Sequence, residues 1–105
     1  MRSDDIYIGT DLKFLLKIEA EDFSMVEDDF HVKVVNSSTK KFIVINKEDM
    51  PVDEEDNYYL CFSTESLGKG FISVFVYASV PDEDFDTGIR REIYKLENVI
   101  RLEEA

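Results

Sequence analysis

The chain is 105 residues long, 44% apolar and 12% aromatic, and carries 24 carboxylates against 12 Lys and Arg for a net charge of −12. That length suits one domain, 1–105, and excludes two, with enough chain to bury roughly two thirds of its unfolded surface. The aromatic and β-branched content excludes a disordered chain, and the negative charge disfavours nucleic acid and anionic membranes, which recruit Lys and Arg.

Met1 to Asp5 is polar and acidic, and Ile6-Tyr7-Ile8 is too short for the apolar core of an export signal. A cytoplasmic protein, or one assembled there into a virion, is therefore expected, with no signal peptide or transmembrane segment. Ile6 to Ile8 reads as a short edge strand before a turn at Gly9. Next, Leu12, Phe14, Leu16, Ile18 and Ala20 alternate with Lys13, Lys17 and Glu19, a period of two that marks a half-buried strand, with Leu15 as the apolar exception on the outer side. A second strand sets Phe30, Val32 and Val34 inward and His31 and Lys33 outward. Asn36-Ser37-Ser38-Thr39 supplies hairpin chemistry before the β-branched run Lys41 to Ile45.

After the acidic loop Asp53-Glu54-Glu55-Asp56, Asn57 to Ser63 predicts a further strand. Ser66-Leu67-Gly68-Lys69-Gly70 places two glycines where positive φ is expected. Phe71 to Val80 is the most apolar stretch. Ile72, Val74, Val76, Ala78 and Val80 share one face, and Phe71, Ser73, Phe75, Tyr77 and Ser79 the other, the pattern of a central strand. Pro81 to Gly88 is turn chemistry, and Ile89 to Leu102 is a last strand with a turn or bulge near Leu96-Glu97-Asn98. About seven short strands with turns every 8–12 residues and no long helical period predict an all-β antiparallel sandwich or barrel.

Catalytic chemistry has few carriers here. His31 is the only histidine and Cys61 the only thiol, so no intrachain disulfide can form. Both fall within strands, where His31 reads as a surface residue and Cys61 as a packing or half-buried one. There is no glycine-rich phosphate loop, HExxH or CxxC motif, and spacing alone selects no acid–base pair among so many carboxylates. No catalytic residue, enzymatic activity or cofactor is expected. Asp82, Asp84 and Asp86 alternate before Gly88 in the manner of a calcium loop, but the glycine comes one place late and Ile93 stands where the closing glutamate belongs, so a plain turn is preferred. The best contact candidates are Phe71, Phe75 and Tyr77, joined by Tyr59 or Tyr94. They form either an exposed patch or the core of a second sheet.

Three stretches carry a family resemblance. Ile8-Gly9-Thr10-Asp11-Leu12-Lys13-Phe14 resembles the opening of the small immunoglobulin-like domains of tailed phages and prophages, the N-terminal domain of baseplate upper proteins being the nearest named relative. Tyr58 to Thr64 followed by Leu67-Gly68-Lys69-Gly70, and the Pro81 to Arg90 loop, are similar to later passages of such domains. The chain also looks like short proteins of gut Bacteroides genomes carried on phage-derived elements. Tryptophan and a cysteine pair, hallmarks of the antibody-type sandwich, are absent. The resemblance implies an immunoglobulin-like fold and a structural or docking role in a tail, baseplate or fibre, with other protein subunits as partners, a homo-oligomer among them. The alternative from another class is a cell-surface adhesion or carbohydrate-binding module, calcium-assisted at Asp82, Asp84 and Asp86. A third is an acidic mimic of nucleic acid.

Overall fold

The computed structural model describes residues 5–104. Among them are seven strands: β1 Asp5–Tyr7, β2 Asp11–Leu16, β3 Asp29–Asn36, β4 Phe42–Asn46, β5 Tyr58–Ser63, β6 Gly70–Pro81 and β7 Ile89–Glu103, with one 3₁₀ turn at Lys47–Asp49. They form a five-stranded sheet in the order β1-β7-β6-β3-β4 and a two-stranded sheet of β2 and β5. The class is all-β and sandwich-like, as the alternation predicts. No helix among the described residues is long and apolar enough to cross a membrane.

The inner face of the large sheet is built by the predicted parity. Phe30, Val32 and Val34 on β3 pair with Ala78, Val76 and Val74 on β6, and Val76 and Val74 in turn oppose Tyr94 and Leu96 on β7. Across the layer, Leu16, Tyr58, Leu60 and Phe62 of the small sheet complete the core, with the rings of Phe30 and Tyr58 5.6 Å apart and nearly perpendicular. Beside these two short strands, the segment between β2 and β3 contributes Phe23 to the core, and Met50 enters from beyond β4. Such edge-to-face rings and branched aliphatics supply most of the burial free energy of a small sheet protein.

Three local expectations change. Strand β2 ends at Leu16, and Ile18 and Ala20 pack against the core from the loop rather than from a strand. Strand β1 runs parallel to β7, Asp5 opposite Arg101 and Tyr7 opposite Glu103, whereas every other pairing is antiparallel. Cys61, read as a packing or half-buried residue, is exposed on the outer side of the small sheet, because its neighbours Leu60 and Phe62 take the inward parity. The predicted irregularity in β7 is present: Ile72 faces Ile100 but Val74 faces Leu96, a bulge in the β6–β7 ladder.

Two buried polar side chains tie the turns together at one end of the sheets. Asn36 is fully buried; its amide nitrogen donates to the carbonyls of Leu67, Gly68 and Lys69, and its oxygen accepts from the N–H groups of Ser38 and Thr39. Gly70, at φ +140°, lies so close that a Cβ there would stand 2.7 Å from the Asn36 oxygen. Thr64 accepts from the Gly9 N–H and donates to the Thr10 carbonyl, both at 2.9 Å.

Candidate functional site

The small sheet covers only the inner face of the large one, so the outer face is left open. Cross-strand register assigns its residues: Phe42 and Val44 on β4; His31, Lys33 and Val35 on β3; Phe71, Ser73, Phe75 and Tyr77 on β6; Arg91, Ile93, Lys95 and Arg101 on β7. Phe42 is 56% exposed, Phe71 49% and Ile93 61%. Phe75 and Tyr77, flanked on both sides by neighbouring strands, are half-buried. Of the two structural possibilities, the aromatic side of β6 is therefore surface and not a second core.

Cations cover these rings. The Lys33 ammonium lies 4.4 Å from the centre of the Phe42 ring, Lys95 5.8 Å from Phe75, and the Arg101 guanidinium 5.8 Å from Phe71. His31 stacks on Tyr77 with the planes 3° apart and the centres 4.9 Å apart. Lys33 and Lys95 are both cross-strand neighbours of Phe75, so one transverse row reads Lys95, Phe75, Lys33 and Val44. Each such contact contributes about 0.5–1 kcal/mol at an exposed site. More consequential is the combined surface, largely apolar yet studded with positive charge on an acidic chain.

Most of the acidic residues are elsewhere, although Asp29, opposite Ser79, and Glu103, paired with Arg101, share the outward register. Loops 17–28, 47–57 and 82–88 all lie at the end of the sandwich where β6 terminates. They hold fifteen of the 24 carboxylates and two of the 12 cations, a net −13, which leaves the rest of the chain, with nine carboxylates and ten cations, at +1. At the opposite end, loops 37–41 and 64–69 carry Lys40, Lys41 and Lys69 against Glu65.

The sequence-predicted residues separate into two groups. Phe71, Phe75 and Tyr77 share one side of β6, and that side is the open face. Tyr94 does not join them: it points inward opposite Val76 and packs near Phe23, where burial and the Glu92 carboxylate accepting its hydroxyl hold its pKa up to about 12. Tyr59 lies on the outer side of the small sheet, its ring under Lys13 and its hydroxyl donating to Asp53. His31 and Cys61 also sit on opposite outer surfaces and cannot meet as a base and nucleophile.

In the 82–88 loop, one Asp82 oxygen accepts the Asp84 N–H and the other is held by the Arg90 guanidinium, which also reaches Asp22. The Asp84 N–H, then Arg90, keep the Asp82 carboxyl below its ordinary pKa. Among the described residues, no three His, Cys, Asp or Glu side chains converge to hold a metal ion. Lys33, Lys95, Arg101 and Phe42 escaped the sequence reading. Their signal was parity: each occupies the same outward register as Phe71 and Phe75, but that register spans strands far apart in sequence.

Comparison of the chain with models of known protein families, with curated proteins and with solved structures gave no match.

Proposed function

We propose that this chain is a non-enzymatic docking module that presents the outer face of its five-stranded sheet to other protein subunits, as a structural part of a phage or prophage particle. The observation that carries the docking role is the open face, where Phe42, Phe71 and Ile93 are exposed among Lys33, Lys95 and Arg101. Apolar patches of this kind mark interaction surfaces, and aromatic residues with Arg are the usual anchors of binding energy. The immunoglobulin-like assignment draws support from strand order, since β7-β6-β3 with β4 at the edge and β2 beside β5 matches the neighbour pairs of that sandwich. The particle assignment rests on the family resemblance alone.

A sugar-binding role fits the geometry less well. Carbohydrate stacking needs broad bare ring faces, and here Lys33, Lys95 and Arg101 each lie over one face of Phe42, Phe75 and Phe71. Single-stranded nucleic acid would also stack on such rings, but its phosphates would run into the acidic end.

The test is photo-crosslinking. Benzoylphenylalanine placed at Phe71 in the full chain, expressed in its native host, is expected to crosslink to protein, with purified particles among the crosslinked fractions. Absence of any protein adduct, or a mobility shift of labelled oligothymidine by the pure chain at micromolar concentration, would overturn the docking role.

A further inference from the structure

The 82–88 loop combines the features that the open face complements. Phe85, at its tip, is 48% exposed and is surrounded in sequence by Asp82, Glu83, Asp84 and Asp86. The loop is held in shape by hydrogen bonds from the Asp82 N–H to the Gly88 carbonyl and from the Gly88 N–H to the Phe85 carbonyl. Arg90 clamps Asp82 at its base. An exposed ring in a preorganised carboxylate setting suits a surface of rings in a cationic setting, and preorganisation lowers the ordering cost of binding.

We propose that the occupant of the open face is a second copy of this chain, whose 82–88 loop docks by Phe85 against Phe71 and Phe42, with its carboxylates facing Lys33, Lys69 and Lys95. This rests on the docking reading above. The receiving depression lies at the far end of the face, lined by Lys69, Phe71, Arg101 and Glu103. Ten residues of strand β6 separate Phe71 from Pro81, about 33 Å at the rise of a strand, so no chain can seat its own loop. A symmetric face-to-face dimer is disfavoured, because the Lys33–Phe75–Lys95 row lies near the middle of β6 and would meet its own image. The contact is therefore heterologous, tail loop to head face, and it propagates into rings or filaments instead of stopping at two.

Sedimentation velocity of the full chain up to ~1 mM, a range that detects weak self-association, tests this. Species beyond a dimer are expected. The pair Lys33→Glu with Lys95→Glu, and separately the pair Phe85→Ala with Asp84→Lys, should each leave a monomer. An equimolar mixture of the two variants should form dimers and nothing larger, since one intact face then meets one intact loop; this rescue also shows that both variants are folded. A wild-type monomer throughout, growth that stops at a dimer, or growth untouched by both variants overturns the proposal. The Phe71 crosslink separates the two readings. An adduct between position 71 and residues 82–88 of another copy supports both. An adduct only to a different protein keeps docking and removes self-assembly, and no adduct removes both.

Discussion

Asn36 shows how one side chain can govern a turn cluster. Its five hydrogen bonds leave no donor or acceptor idle while it is wholly enclosed. Replacing it with Ala would strand carbonyls of the 67–69 turn, each costing about 1–3 kcal/mol when buried and unpaired. Asn36→Ala should therefore lower the unfolding free energy by at least about 2 kcal/mol in urea titration. Gly70→Ala should also destabilise, through both its positive φ and the clash with the same oxygen. Asp53 supplies a pH-sensitive counterpart. Its carboxylate accepts from the Asn57 N–H, the Asn57 amide, the Glu55 N–H and the Tyr59 hydroxyl, and these bonds, the Asn57 N–H foremost, bring its pKa to about 2. Because the folded value lies below the ordinary aspartate value of 3.8, the stabilisation is present above that pH and lost as pH falls toward about 2. Carboxyl-detected NMR should place the Asp53 midpoint near the lower limit. Asp53→Asn should remove the acid sensitivity of the 52–58 hairpin.

At the scale of elements, the two faces of β6 make opposite predictions. The inward residues Val74, Val76 and Ala78 are buried between β3, β7 and the small sheet, while Phe71 on the other side is 49% exposed and has no layer over it among the described residues. Leu60→Ala, at the centre of the small sheet's buried face, should cost about 2–5 kcal/mol. Phe71→Ser should change stability by less than about 0.5 kcal/mol while weakening association. Paired urea melts and sedimentation runs on these two variants would separate core from contact surface. A comparable loss of stability in both would mean that the outer face is packed. The alternation in β3 and β6 was readable because each residue's parity is set within its own strand, whereas in β5, apolar on both sides of Cys61, the exposed side was not. The placement of Tyr94 was not readable: β7 is apolar on both parities, with Ile89 and Ile93 on one and Tyr94 and Leu96 on the other, so alternation does not say which side faces the core.

Across the whole molecule, charge is polarised along the strands. The loop end carries −13 and the remainder +1, over a longest dimension of 50 Å. Repulsion between the acidic ends keeps the open face from indiscriminate contact at neutral pH. Near the isoelectric point of about 4.3 that repulsion disappears. Light scattering should then rise sharply around that pH, and Phe42→Ser with Phe71→Ser should suppress the rise without moving the isoelectric point. Scattering unchanged in the double variant would show that the open face does not drive it.

The sequence alone determined the all-β class, the inward parity of β2 and β3 and the positive-φ glycines at 68 and 70, because these depend on periodicity and local backbone chemistry. It also placed Phe71, Phe75 and Tyr77 on one side of one strand. Whether that side was core or surface depended on how many strands the second sheet would have. Only the tertiary structure decided that, among the described residues, the two strands of the small sheet cover one face and no strand covers the other. Register across β4, β3, β6 and β7 then brought Phe42, Lys33, Lys95 and Arg101 beside those rings, a juxtaposition of residues up to about sixty positions apart that no local pattern encodes.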